Sequence, residues 1–203
     1  MIALIDYGSG NIRSVSKALQ REGAQVQLVD SPGALRAADA VVLPGVGAFG
    51  DCVRNIKSRN LWEPVQDWLD SGKPFLGICV GYQLLFESSE EDPKEKGFGF
   101  FRGKVKRFSS AGLKVPQIGW NSLTLAQPQH TLWSGLPSEP FVYFVHSYFP
   151  APEDAGIVTA TTTYGETFAS AAARGRVAGV QFHPEKSQEV GLAILRNFVT
   201  SLS

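Results

Sequence analysis

In the first half of the chain, short runs of consecutive apolar residues alternate with apolar positions spaced three and four apart. Ile2–Asp6, Val26–Val29, Ala40–Leu43 and Phe75–Ile78 are runs of the first kind, and each reads as a buried strand. Ile12, Val15 and Leu19 fall on one helical face, and Gly23 follows where a helix C-cap is expected. Leu61, Val65, Trp68 and Leu69 make a second helical stripe, ended by Gly72 and Pro74. A third helix is expected to start directly after Cys79. Strands alternating with helices predict an α/β fold built from βαβ units. The sheet should be mainly parallel, with helices on both faces and right-handed crossovers.

The second half has a different rhythm. Val105–Phe108, Gly119–Leu125, Phe141–Phe149, Ile157–Thr163, Thr167–Ala172 and Val177–Phe182 read as strands joined by short turns. They predict antiparallel hairpins added to the sheet, followed by a helix over Val190–Leu202. Glu87–Lys96 is the most polar stretch and is expected to be a surface loop. No linker, repeat or low-complexity segment interrupts the pattern, so one domain spanning 1–203 is expected.

Composition narrows the function classes. The chain has 203 residues, with 19 Lys+Arg and 19 Asp+Glu, and a formal net charge of zero. Such a balance supplies no overall field to draw in nucleic acid or an anionic membrane. No apolar run approaches a membrane span. The start, Met1-Ile2-Ala3-Leu4-Ile5-Asp6, lacks the basic opening and apolar stretch of a signal peptide, so a cytoplasmic location is expected. The two cysteines, Cys52 and Cys79, do not make a disulfide framework, and His130, His146 and His183 show no metal-ligand spacing. Neither a metal nor a cofactor is expected.

Candidate chemistry concentrates at two places. In Gly77-Ile78-Cys79-Val80-Gly81 an apolar run ends in a glycine-flanked cysteine, and a helical pattern follows. That is a nucleophile elbow with cysteine in the serine position. A sharp strand-to-helix turn lifts the side chain above the sheet edge, and a helix N-terminus favours a thiolate placed there. The Val80 N–H is a candidate oxyanion donor. Cys52 has no such context and is assigned to packing. In Gln181-Phe182-His183-Pro184-Glu185 a histidine stands just past a strand end, at the rim where an elbow also lies. His183 is the candidate base, and Glu185 can turn back to fix its tautomer.

Other segments admit two readings. Pro44-Gly45-Val46-Gly47 is either an ordinary turn or a backbone that presents an N–H to an oxyanion. Gly8-x-Gly10 reads as a tight turn, because Arg13 breaks the dinucleotide fingerprint. Gln83 is one helical turn beyond Cys79 and can face the same pocket. Glu91 lies in the acidic stretch, where solvent exposure is the plain alternative. His146, in an apolar strand, is expected to be structural. Trp120, Tyr143 and Lys186 are packing or surface residues on the same plain reading.

The Cys79 and His183-Pro184-Glu185 segments together resemble those of the class I, triad-type glutamine amidotransferases. Asp6–Asn11, Leu43–Phe49, Gln83–Glu87, Val115–Asn121, Tyr143–Tyr148 and His183–Ser187 narrow the resemblance to the glutaminase subunits of imidazole glycerol phosphate synthase. The resemblance implies a flavodoxin-like amidotransferase fold and hydrolysis of glutamine to glutamate and ammonia. It implies a partner, a cyclase subunit built as a (β/α)₈ barrel, in a heterodimer of histidine biosynthesis. That partner would use the ammonia to make imidazole glycerol phosphate and aminoimidazole carboxamide ribotide. By the same resemblance the Val46–Gly47 peptide is an oxyanion donor that needs reorienting before the site is active. Gln83, Glu91 and the backbone of Ser147 and Tyr148 would hold glutamine, and Asn11, Trp120, Tyr143 and Lys186 would face the partner. Tyr82, Val80 and Gln117 depart from the pattern, standing where methionine, leucine and histidine are usual. None is a triad position. Two rival readings are another cysteine hydrolase on this scaffold and a binding module that has lost catalysis.

Overall fold

The structure, a computed structural model, describes residues 1–109 and 112–202. Its first half follows the alternation in the sequence. The elements are β1 (Ile2–Ile5), α1 (Ile12–Arg21), β2 (Val26–Val29), α2 (Pro32–Leu35), β3 (Ala40–Gly45), α3 (Phe49–Ser58), α4 (Trp62–Asp70), β4 (Phe75–Cys79) and α5 (Val80–Gln83). After these come β5 (Phe86–Ser89), β6 (Phe101–Arg107), β7 (Gln117–Ser122), β8 (Thr124–Leu125), β9 (Phe141–His146), β10 (Tyr148–Pro152), β11 (Val158–Tyr164), β12 (Glu166–Arg174), β13 (Val177–Val180) and α6 (Gln188–Thr200).

The main sheet has eight strands in the order β2-β1-β3-β4-β13-β12-β11-β8. The run from β2 to β13 is parallel. Strands β12, β11 and β8 extend it antiparallel. β1, β3, β4 and β13 are buried at every position, as strands covered on both faces must be. The helical stripes bury the residues the spacing selects: Val15 and Leu19 on α1, and Val65, Trp68 and Leu69 on α4 with Leu61 just before it.

Five expectations need correction. β2, expected to be buried, is the edge strand and leaves Gln27 and Leu28 exposed. The strand expected over Gly119–Leu125 is two, β7 ending at Ser122 and β8 at Thr124–Leu125, which pair in different sheets. The helix expected directly after Cys79 does start there, as the single turn Val80–Gln83 before the chain turns at Leu84-Leu85 into β5. The polar stretch Glu87–Lys96 is not all loop, since Glu87–Ser89 belong to β5. The strand expected over Phe141–Phe149 is two strands. Burial alternates through Val142, Phe144 and His146, then slips by one residue to Phe149, and a slip of one sends the side chains to the other face. The chain therefore leaves one sheet for another at Ser147. In consequence only part of the second half joins the main sheet. β10, β6 and β5 form a separate three-stranded sheet, and β7 with β9 forms a two-stranded ribbon. α3 was not anticipated; its apolar residues Phe49, Cys52, Val53 and Ile56 are buried at helical spacing. Among the described residues no helix is long and apolar enough to cross a membrane.

Gln117 has a defined place. His146 is buried, and its Nδ1 lies 2.9 Å from the Tyr148 carbonyl and its Nε2 2.9 Å from the Gln117 side-chain amide. Nδ1–H therefore donates to the carbonyl, and a neutral ring requires the amide to present its NH₂ to Nε2. Burial is the main cause that lowers the His146 pKa from its ordinary 6.5 to about 4, with nearby His183 adding to it and the Tyr148 bond opposing. Between these values the unfolded chain carries a proton at this residue that the folded chain refuses. The stability that neutral His146 supports is complete above about pH 6.5 and is lost as pH falls through about 4, on the order of 3 kcal/mol in all. His146→Gln should flatten urea-unfolding stability over that window relative to the parent chain. Parallel pH profiles for the two proteins would contradict this assignment.

Candidate active site

The parallel register brings the two candidate segments together. β13 pairs with β4, Val180 opposite Ile78. Cys79 is one residue past Ile78 and His183 three past Val180, so both lie at the same rim. β3 lies on the other side of β4, with Gly45 opposite Cys79, which delivers Val46 and Gly47 to that rim. One cavity of about 260 Å³ is bordered by Cys79, Val80, Gln83, Glu91, His183, Val46, Gly47, Ser147 and Tyr148. Every candidate triad, oxyanion and substrate residue borders it except Glu185, which stands behind His183.

Cys79 has φ +55°, ψ −111°, a backbone conformation that costs a non-glycine residue energy and is tolerated where the surroundings impose it. The surroundings here are the flanking glycines. A Cβ on Gly81 would lie 1.8 Å from the Leu43 carbonyl oxygen, and one on Gly77 would lie 2.6 Å from the Gly81 oxygen. Only glycine lets the turn press this closely against β3. Because α5 is one turn long, the local amide groups matter more than a helix dipole. Val80 is its first residue, and its N–H is not used within the turn.

His183 is buried, and its Nδ1 donates to Glu185 Oε1 at 2.9 Å. Glu185 Oε1 also accepts from Asn11 Nδ2 at 3.4 Å. With Nδ1 committed, Nε2 is the nitrogen left for chemistry. It makes no hydrogen bond of ordinary geometry, yet Cys79 is near enough to couple with it, and such pairs tighten when substrate binds. Burial opposes charge on the imidazole, but Cys79 and Glu185 together outweigh it and hold the His183 pKa well above its usual value. The His183 backbone is fixed as well. Its N–H donates to the Tyr143 carbonyl at 2.9 Å, and its carbonyl accepts from Ser187 Oγ at 2.7 Å.

Gln181 is a site residue that sequence reasoning missed. It is fully buried, with Nε2 3.8 Å from Cys79 Sγ and Oε1 accepting from Gln83 Nε2 at 3.1 Å. The strand expected over Val177–Phe182 was the available signal, because alternation along it sets 181 and 183 on one face, although β13 itself ends at Val180. Gln83 Nε2 also donates to the Tyr148 carbonyl at 3.0 Å, so its oxygen is the atom free for a ligand. Glu91 is half-buried rather than solvated. It accepts from the Phe49 N–H at 2.8 Å, at the N-terminus of α3. Burial raises its pKa despite that bond, and Asp51 and Asp92 add to the rise.

Outside the cavity, Trp120 packs edge-on against Tyr143 with ring centroids 6.1 Å apart, and Lys186 Nζ lies 5.9 Å from the Tyr143 ring. Ile118, Trp120 and Phe141 expose an apolar face on the β7–β9 ribbon. Among the described residues no group of three or more His, Cys, Asp or Glu is placed to hold a metal. Chemically, the arrangement joins a cysteine, an imidazole tied to a carboxylate, and free backbone N–H groups around a pocket of amino-acid size. That combination suits acyl transfer from an amide.

Comparison with known proteins agrees in kind. Residues 3–202 match the model of the glutamine amidotransferase class-I family. The chain is 51% identical over 203 residues to the imidazole glycerol phosphate synthase subunit HisH of Trichodesmium erythraeum, covering 99% of this chain and 94% of that one. It is 54% identical over 200 residues to the subunit of the same name from Thermosynechococcus vestitus, covering 98% and 95%. A crystal structure of a glutamine amidotransferase superposes with a TM-score of 0.78 at 19% identity, covering 100% of this chain and 99% of the other. At that identity the superposition speaks for the fold.

Proposed function

The chain belongs to the class-I glutamine amidotransferases, within them to the family of the HisH subunit of imidazole glycerol phosphate synthase, and from that premise we propose that it hydrolyses glutamine through Cys79, His183 and Glu185 and passes the ammonia to a cyclase partner. One observation carries the mechanism. A cysteine held at φ +55° and a carboxylate-bound histidine border the same cavity as the glycine-rich end of β3.

His183 Nε2 takes the Cys79 thiol proton, and the sulfur attacks the carboxamide carbon of glutamine. The resulting oxyanion is met by the Gly47 N–H and the Val80 N–H. Collapse of this intermediate breaks the C–N bond. His183 returns its proton to the nitrogen, which leaves as ammonia, and a thioester remains. Water, deprotonated by His183, attacks the thioester, and glutamate departs from the regenerated thiol. Glu185 holds the tautomer and stabilises the imidazolium throughout. Glu91 attracts the substrate ammonium, and Gln83 with the backbone of Ser147 and Tyr148 orients the rest.

The partner we infer is a (β/α)₈ cyclase, in a cytoplasmic heterodimer whose second site makes imidazole glycerol phosphate and aminoimidazole carboxamide ribotide. The whole of 1–203 acts as one amidotransferase domain, without metal or cofactor. The exposed ribbon face of Ile118, Trp120 and Phe141, with half-buried Tyr143 beside Lys186, supports docking there, and Asn11 joins that side through its bond to Glu185. The test is glutamate and ammonia formation from glutamine by the chain with its cyclase. Equal amounts of the two products are expected, and no release above buffer would refute the proposal.

A further inference from the structure

Two polar residues outside the catalytic constellation converge on its backbone. Ser9, on the turn between β1 and α1, donates its hydroxyl to the Val46 carbonyl. Cys52, buried on α3, has its Sγ 3.7 Å from the same oxygen and 4.0 Å from Ser9 Oγ. Burial, above all, raises the Cys52 pKa, so the thiol stays neutral and can donate.

The topology gives this contact a direction. β3 lies between β1 and β4. Ser9 follows β1, and Cys79 ends β4. The carbonyl and N–H of one trans peptide point opposite ways. A Val46 carbonyl drawn toward the β1 turn therefore leaves the Gly47 N–H on the side of β4 and Cys79. Nothing in the residues themselves fixes this pose. Gly47 has φ +96° with no heavy atom within 4 Å of an added Cβ, and the Val46 side chain is exposed. A peptide ending in an unhindered glycine rotates easily, so the restraint must come from outside.

We propose that Ser9, backed by Cys52, is a positioning residue that holds the Val46–Gly47 peptide with its N–H aimed at the oxyanion site. The proposal rests on the amidotransferase reading above. Without the hydroxyl, the peptide is shared between orientations, and only the competent fraction turns over. Full loss of one oxyanion donor costs about 100–1,000-fold, and a loosened donor costs part of that.

The experiment measures glutamine hydrolysis by the full chain with its cyclase, alongside the rate at which iodoacetamide alkylates Cys79. Alkylation displaces iodide from a saturated carbon and builds no oxyanion, so it reports the thiol and the fold without the peptide. Ser9→Ala should lower kcat by about 10- to 100-fold with KM and the Cys79 alkylation rate unchanged, and Ser9→Thr, which keeps the hydroxyl, should restore kcat. Cys52→Ala should show a smaller loss of the same kind, absent in Cys52→Ser. An unchanged kcat in Ser9→Ala, or a kcat that falls together with alkylation, would overturn the latch and leave the amidotransferase reading standing. A parent chain that hydrolyses no glutamine would instead remove that reading, and the latch with it.

Discussion

Cys79→Ala is expected to lower glutamine hydrolysis by about a millionfold, with the fold intact. The sulfur is the atom that attacks the amide carbon in the proposed mechanism, and alanine offers none in its place. Removing it deletes one atom and leaves the glycine packing around the elbow as it was. His183→Ala should be comparably severe, and the double variant no worse than either single one, because nucleophile and base act in the same step. Glu185→Ala should be about a hundredfold milder, since the carboxylate orients and stabilises the ring without reacting. A glutamine-analogue alkylator should label Cys79 and spare Cys52, which is 1% exposed on α3. Label on Cys52 would reverse the assignment. Urea unfolding of each variant separates loss of chemistry from loss of structure.

The second large effect is stimulation by the partner. Hydrolysis should be slow for this chain alone, faster with the cyclase, and fastest with cyclase and its nucleotide. The span should fall short of the full worth of one oxyanion donor, about 100–1,000-fold, because the donor is already partly in place. The physical route is short. Tyr143, on the exposed ribbon, accepts the His183 N–H through its carbonyl, and its own N–H donates to Ser187 Oγ at 2.9 Å. Asn11 touches Glu185. A partner pressed against these residues can favour one arrangement of the site over another, by as much as its affinity for the two differs. Here the Val46 carbonyl already faces the β1 turn, so docking would raise the population of this arrangement rather than create it. Lys186→Ala, which removes the ammonium beside the Tyr143 ring, should give leakier basal hydrolysis, weaker stimulation, or both. Equal rates in all three conditions would end the coupling account and leave the triad untouched.

The parts of this molecule legible in its sequence are those that depend on neighbours in the chain. Apolar runs located β1, β3 and β4 to within two residues, because a strand buried on both faces has to be continuously apolar. The elbow was legible because glycine on both sides of Cys79 is a local steric demand. His183 and Glu185 were legible because a two-residue reach closes their bond. Pairing across distance was not. That β13 lies beside β4, bringing a residue 104 positions away to Cys79, is a property of register. The same holds for Glu91, whose acidic neighbours suggest solvent while the Phe49 amide draws it inward. Gln181 carried a parity signal that meant nothing until the face of His183 was known to be the working one. Ser9 carried none, since a hydroxyl meeting a carbonyl from another strand leaves no pattern in either segment. The split of Phe141–Phe149 was legible in principle, in the one-residue slip of alternation at Ser147, but the slip is clear only once burial is known.

The most direct test supplies the assembled complex with either glutamine or an ammonium salt and measures the cyclase product. If this chain serves to make ammonia at Cys79, the complex carrying Cys79→Ser should form no product from glutamine and as much as the parent complex from ammonium at alkaline pH. Product from glutamine in that variant, or failure with ammonium as well, would contradict the account.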